Sequence, residues 1–220
     1  MRLSIATGAL LSLLSLASML SAEAEPRSSH ACFPPGTTTL AADRTGRVYV
    51  AEHGGPGYAC RFADGRPLLL TDDFDDGPTI GAIAGRFVAV NGRSCEGPGC
   101  YVYVDVFDSL LRKRVRGMSV TRRCRDGGDT NEDCFDEADV TSIAVKRNGS
   151  VAWIACGNYD SCDAGEERWV MRADSRYRRS RGPAELDRSP GILERSLRLS
   201  RDGRSFSWVK RGRRYSAGLR

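Results

Sequence analysis

Apolar and polar residues alternate in short runs along most of the chain after residue 38, and turn residues separate the runs. Alternation with a period of two puts apolar side chains on one face of a β-strand, so these runs predict strands. Outside the apolar segment at the N-terminus, no stretch has the 3.6-residue apolar period of an amphipathic helix. The pattern therefore predicts an all-β fold with little helix.

A hairpin pattern recurs along the chain. Each copy has an alternating run, a turn that contains glycine and a second alternating run, which is typical of a β-hairpin because glycine tolerates a positive φ. Further alternating runs at residues 101–106, 111–115, 169–173 and 184–187 predict outer strands. The hairpin copies are residues 39–51, 79–91, 142–154 and 196–209, with turns near residues 46, 85, 149 and 203.

The spacing of these turns indicates the fold. Their intervals average close to the ~40 to 50 residues of a repeat that forms one four-stranded propeller blade. We therefore predict a small β-propeller-like repeat domain of about four blades, with a β-sandwich or an open propeller fragment as the alternative. The last copy is one strand short. A closed ring leaves no strand edge unpaired, so we expect residues 30–33 to supply the missing strand.

Three parts of the repeat also resemble a known group of proteins. The run from Ser196 to Gly203 followed by Trp208, its counterpart from Ser142 to Trp153, and the outer strand Tyr103–Val106 resemble the blades of exported β-propeller-like repeat proteins of the TolB and WD40 superfamilies. The resemblance implies a propeller fold and carries no information on function. The Gly-His and Trp-Asp signatures of true WD40 repeats are missing from this sequence.

The N-terminal segment has the pattern of a secretory signal peptide. Arg2 precedes an apolar run from Leu3 to Leu20, and Ala22-Glu23-Ala24 forms an A-x-A cleavage site. We expect residues 1–24 to be removed and residues 25–220 to form a single secreted or extracytoplasmic domain. No second apolar run in the sequence is long enough to span a membrane, and we expect a monomer.

The eight cysteines of the chain are predicted to form disulfides between sequence neighbours. An even number of cysteines in an exported chain is typical of structural disulfides. The three closely spaced pairs flank turn residues that let their Cα atoms approach the ~5.5 Å that a disulfide requires. The predicted pairs are Cys32–Cys60, Cys95–Cys100, Cys124–Cys134 and Cys156–Cys162.

No recognisable catalytic motif is present. The string His53-Gly54-Gly55-Pro56-Gly57 resembles the oxyanion-hole motif of α/β-hydrolases, but the sequence lacks both a Gly-x-Ser-x-Gly elbow and a later histidine. We therefore assign no catalytic residue and expect a protein that is not an enzyme. A pair of carboxylates leaves no sequence signature, so a carboxylate-based secreted glycan-active enzyme stays open as one alternative. A structural envelope protein is the other.

One acidic loop is a candidate for calcium, because hard oxygen ligands on a short constrained loop are what Ca²⁺ requires. The loop fails the EF-hand pattern, since Cys134 stands where the glycine is needed and Val140 where the final glutamate is needed. A solvated acidic loop is the alternative, and no other cofactor is expected. The candidate ligands are Asp126, Asp129, Asn131 and Asp133.

Charge is uneven along a chain whose formal net charge is +5. The acidic residues between 126 and 139 contrast with an arginine-rich C-terminal quarter. Arginine clusters on an exported protein favour an anionic extracellular polymer as the partner, although solubilising loops would have the same composition. We predict a non-catalytic binding module whose anion-binding residues are Arg176, Arg178, Arg179 and Arg181, with a second basic cluster at Lys210, Arg211, Arg213 and Arg214.

Overall fold

The chain folds into four antiparallel β-sheets that follow one another in sequence. The structure is a computed structural model and describes residues 29–51, 55–70, 77–96, 99–120, 138–157, 165–175 and 183–218. Three sheets have four strands and the fourth has three, and in each sheet the strands are neighbours in chain order. The prediction of an all-β fold is confirmed.

The strand bounds follow the predicted hairpins closely. The first sheet contains β1 (Thr38–Asp43), β2 (Gly46–Val50), β3 (Gly57–Arg61) and β4 (Pro67–Leu69). The second contains β5 (Gly81–Ala84), β6 (Phe87–Glu96), β7 (Gly99–Asp108) and β8 (Lys113–Ser119). The third contains β9 (Asp139–Val145), β10 (Val151–Cys156), β11 (Arg168–Ala173) and β12 (Ala184–Ser189). The fourth contains β13 (Arg198–Leu199), β14 (Ser205–Lys210) and β15 (Arg213–Gly218).

Consecutive sheets pack against each other through apolar side chains, in the manner of propeller blades. The first strands of neighbouring sheets contact each other, from β1 to β5, from β5 to β9 and from β9 to β13. A hydrophobic cluster fills each of the three junctions between successive sheets. These clusters include Val48 with Val88 at the first junction, Val104 with Trp153 at the second and Ile154 with Phe206 at the third.

The two tryptophans at equivalent positions of the repeat are buried at these junctions, as the repeat register predicts. Trp153 on β10 is 0% exposed and belongs to the cluster between the second and third sheets. Trp208 on β14 is 4% exposed and belongs to the cluster between the third and fourth sheets. Each tryptophan therefore faces the sheet that precedes its own.

The N-terminal segment packs on the first sheet, and the expectation that it completes the fourth sheet is wrong. Ser29–Cys32 forms a short 3₁₀ turn. Cys32 forms a disulfide with Cys60 on β3, which confirms that predicted pair. Within the described ranges, β15 pairs with β14 alone, and no hydrophobic cluster joins the fourth sheet to the first.

The other predicted disulfides involve side chains that lie outside the described residues. Cys156 is disulfide-bonded, and its partner is not among the described side chains. The backbones of Cys95 and Cys100 are directly opposite each other in the β6–β7 register, but their side chains are not described. Cys124 and Cys134 also lie outside, so these pairings stay predictions. Where the chain is described, it has no helix with the length and apolar character needed to cross a membrane.

Candidate functional site

The stack of sheets has two ends, and successive strands connect at alternate ends. One end carries the connections β1–β2, β3–β4, β5–β6, β7–β8, β9–β10, β11–β12 and β13–β14, and we call it the turn end. The opposite end carries the remaining connections, and we call it the loop end. The turns β1–β2, β5–β6 and β9–β10, which we call the first, second and third turns, contact each other directly. These contacts confirm that the three turns share one end.

Basic side chains occur in every turn-end connection that is described in full. In three copies of the repeat an arginine stands two residues before the turn glycine, and these arginines are Arg44, Arg147 and Arg201, all exposed. In the remaining copy Arg86 follows the turn glycine directly. Other basic residues in these connections are Arg66, Arg112, Lys146 and Arg204.

Hydrogen bonds around one carboxylate fix the first two turns to each other. Asp43 Oδ1 accepts a hydrogen bond from the backbone nitrogen of Thr45 at 2.7 Å, and Oδ2 accepts one from the backbone nitrogen of Gly85 at 3.2 Å. Burial opposes the ionisation of Asp43, but these bonds and those from the Thr45 hydroxyl and the Gly46 backbone outweigh it and hold the pKa below its ordinary value. The carboxylate is thus part of the scaffold.

The third turn fits against the second sheet because Gly149 has no side chain. Its φ is +81°, a conformation that favours glycine. A Cβ atom at this position would lie 2.6 Å from Arg116 Nη2 and 3.0 Å from the ring of Phe87. The side chain of Arg147 in the same turn passes near Gly85 of the second turn. The first three turns therefore form one packed row that carries Arg44, Arg86 and Arg147.

The described part of the loop end carries both carboxylates and basic side chains. The buried guanidinium of Arg168 pairs with Glu194, with Nη2 at 2.7 Å from Oε1, and also donates to the carbonyl oxygen of Pro190 at 2.9 Å. Burial raises the pKa of Asp139, and the charge of Glu194 adds to the effect, while the Val140 backbone and Arg93 oppose it. This end brings two carboxylates into electrostatic contact, but the ion pair engages Glu194 in holding the structure together.

The ligand residues predicted from the sequence lie outside the described residues. The segment with Asp126, Asp129, Asn131 and Asp133 belongs to the β8–β9 connection, whose flanking strands end at the loop end. The segment with Arg176, Arg178, Arg179 and Arg181 belongs to the β11–β12 connection, whose flanking strands end at the turn end. His53 also lies outside. In the part of the chain that is described, no three His, Cys, Asp or Glu side chains gather as metal ligands would.

The strands that flank the two basic clusters of the C-terminal quarter end at opposite ends of the stack. Lys210, Arg211, Arg213 and Arg214 flank or form the β14–β15 connection at the loop end, whereas residues 176–181 belong to a turn-end connection. The residues that sequence reasoning missed are Arg44, Arg147 and Arg201, although the repeat alignment already places them at one equivalent position.

A half-buried carboxylate joins the third and fourth sheets. Asp187 on β12 accepts hydrogen bonds from Trp208 Nε1 at 2.8 Å and from Lys210 Nζ at 2.7 Å. Burial opposes its ionisation, but the bonds from Lys210, Trp208 and the Arg188 backbone, together with the charge of Lys210, outweigh burial and hold the pKa below its ordinary value. The ionised form of Asp187 therefore stabilises the junction.

We expect Asp187→Asn to destabilise the protein at neutral pH by more than it does in acid. The folded-state pKa lies below the unfolded value of about 3.9, so the stabilisation is present above that pH and is lost as the pH falls through the folded pKa. Urea unfolding of both proteins at about pH 7 and about pH 3 measures the two differences. A difference of equal size at both pH values would contradict this prediction. Asp64→Asn, which removes an exposed ion pair to Arg61, is the control and should have little effect.

Comparison with known proteins gives distant likenesses in structure only. No family model matches the chain and no curated protein matches it. Hydrazine synthase of Kuenenia stuttgartiensis is similar over 82% of this chain and 51% of its own, with 13% identity and a TM-score of 0.47. Tricorn protease is similar over 83% of this chain and 25% of its own, with 13% identity and a TM-score of 0.38. U3-55K covers 82% of this chain and 54% of its own, with 11% identity and a TM-score of 0.36. The chain thus spans about half the length of the hydrazine synthase chain.

Proposed function

We propose that the protein is an exported, non-catalytic binding module whose turn end binds an anionic polymer outside the cytoplasmic membrane. The observation that carries the proposal is the equivalent placement of Arg44, Arg147 and Arg201 in the turns of three repeats. All three side chains are exposed at the same end of the stack. A linear polyanion can contact several such cations at once, so weak individual contacts add up.

The chemistry of these side chains suits an anion. Each guanidinium is permanently charged and can donate two parallel hydrogen bonds to a phosphate, sulfate or carboxylate group. The first three turns, which carry Arg44, Arg86 and Arg147, are fixed by the bonds of Asp43 and by the packing of Gly149. Little backbone freedom is therefore lost when these turns bind an anion. Binding by such contacts releases counterions from the polymer and weakens steeply with salt.

Two observations support export. Residues 1–24 have the order of charge, apolar run and cleavage site of a signal peptide. The Cys32–Cys60 disulfide would form and persist in an oxidising compartment. Polymers available there include anionic wall polymers, acidic polysaccharides and extracellular DNA, which share the negative charge that the turn end would bind.

The test is retention of the mature chain on immobilised heparin, with a triple substitution of Arg44, Arg147 and Arg201 to glutamine. We expect this variant to elute at a clearly lower salt concentration than the unchanged protein, because three contacts are removed. The matched control substitutes Arg195, Arg213 and Arg214, which are exposed at the loop end, and changes the net charge equally.

The comparison of the two variants decides the proposal. Equal loss of retention in both would mean that net charge alone governs binding and that the turn end has no special part. An unchanged protein that heparin does not retain in low salt would refute the proposal and favour the structural envelope protein. The thermal unfolding of both variants should match that of the unchanged protein, because exposed turn charges contribute little to stability.

A further inference from the structure

The turn end also carries an exposed apolar tip. Leu110 and Leu111 are consecutive residues of the β7–β8 connection, and they are 53% and 55% exposed. Single exposed leucines are ordinary on protein surfaces. Two in succession at the tip of a turn form a small exposed apolar patch, whereas the nearby Phe107 is buried in the cluster between the first and second sheets.

Hydrogen bonds hold this tip in its exposed position. The buried carboxylate of Asp108 accepts hydrogen bonds from the backbone nitrogens of Leu110 at 3.0 Å and Leu111 at 3.1 Å. Its other oxygen pairs with Arg86 Nε at 3.1 Å. Ser109 donates from its backbone nitrogen and its hydroxyl to the carbonyl oxygen of Arg86, both at 2.8 Å. The backbone of the tip is thus fixed while both leucine side chains face solvent.

Basic residues lie next to the tip in sequence and across one hydrogen-bonded contact. Arg112 and Lys113 follow it directly, and both are exposed. The guanidinium of Arg112 donates to the carbonyl oxygens of Arg66 at 3.4 Å and Pro67 at 2.8 Å, and both of these acceptors are neutral. The same contact brings the tip close to the exposed Arg66. Leu110 and Leu111 are therefore followed in sequence by Arg112 and Lys113 and lie near Arg66 through this contact, and we call these three basic residues the collar.

An apolar tip beside a basic collar fits one kind of surface best. A dissolved polyanion can pair with the collar, but it leaves both leucines in water. An anionic lipid bilayer satisfies both features, because leucines can enter the boundary between headgroups and acyl chains while the cations meet the headgroup phosphates. We propose that the turn end docks on an anionic lipid surface, with Leu110 and Leu111 inserted. This proposal rests on the proposed function, because it uses the same positive charge at the turn end.

The experiment measures co-sedimentation with vesicles of phosphatidylglycerol mixed with phosphatidylcholine. The unchanged protein should bind these vesicles and not vesicles of phosphatidylcholine alone. The double variant Leu110→Ser, Leu111→Ser should bind the mixed vesicles roughly 10- to 100-fold more weakly, because it loses two leucines that would be partly buried in the bilayer. Leu193→Ser is the matched control, because Leu193 is 55% exposed at the loop end, and it should bind as the unchanged protein does.

A second measurement places the tip directly. The fluorescence of a tryptophan introduced by Leu110→Trp should shift to the blue when the protein binds mixed vesicles. It should not shift when the protein binds heparin. A protein that heparin retains but mixed vesicles do not would overturn the lipid surface and leave the proposed function standing. Loss of binding to both would overturn both proposals. Full vesicle binding by the double serine variant, or an unshifted tryptophan on mixed vesicles, would also refute the insertion of the tip.

Discussion

Trp153→Ala should destabilise the protein by roughly 3 to 5 kcal/mol, the cost of removing a large aromatic side chain from a packed core. Trp153 is 0% exposed and lies in the largest of the clusters between sheets. Its ring lies in the junction between the second and third sheets, and a packed core relaxes only partly around a cavity. Chemical denaturation at neutral pH measures the change in the free energy of unfolding.

Trp153→Phe separates packing from hydrogen bonding in the same experiment. The indole Nε1 of Trp153 is buried and has no hydrogen-bond partner among the residues that the structure describes, so phenylalanine removes no observed bond and leaves a smaller cavity. We expect a loss clearly below that of alanine. If alanine cost less than about 1 kcal/mol, the junction would not depend on this side chain, and the repeat register that places it there would be wrong.

Arg47→Met should cost about 3 kcal/mol, because it removes several hydrogen bonds from a charged donor in a buried site. Arg47 on β2 is 3% exposed. Its guanidinium donates to the Cys32 carbonyl oxygen at 2.9 Å and to the hydroxyls of Thr39 at 2.7 Å and Thr37 at 3.0 Å. Burial lowers its pKa.

Two aromatic rings complete this site and explain why methionine is a poor substitute. The rings of Phe33 and Tyr49 both lie 4.8 Å from the central carbon of the Arg47 guanidinium, and such contacts favour a cation. Arg44→Met, three residues away in an exposed turn, is the control and should change stability by less than about 0.5 kcal/mol. Equal effects of the two substitutions would mean that Arg47 does not hold the N-terminal segment.

Much of the fold follows from local pattern. The alternating runs and their turns predict the four hairpins, because each hairpin needs only residues that are close in sequence. The burial of Trp153 and Trp208 also follows, since equivalent repeat positions face equivalent neighbours. The N-terminal segment is different. Its four-residue 3₁₀ turn has no periodicity of its own, and its position depends on Arg47, which is distant in sequence.

The candidate site was harder to derive from sequence than the fold. The density of arginine along the chain draws attention to residues 176–181. Arg44, Arg147 and Arg201 are instead single arginines that lie far apart in sequence. Successive connections alternate between the two ends, so the end to which a connection belongs follows from the number of strands before it. One missed strand would move every later connection to the opposite end. The loop-end position of Arg213 and Arg214 follows from that count alone. The exposure of Leu110 and Leu111 depends on Asp108 and could not be read from composition.

If the protein is exported as proposed, the Cys32–Cys60 bond can form before the whole chain has crossed the membrane. Both cysteines lie within the first sheet or the turn packed on it, so the bond needs no residue of the three later sheets. A chain that crosses a membrane from its N-terminus could oxidise this pair while its remainder is still in transit. The covalently closed first sheet would then offer an ordered apolar face to the second, and each later sheet would add to one already formed. Assembly by such local steps keeps contacts short in sequence and limits the exposure of unpaired strands.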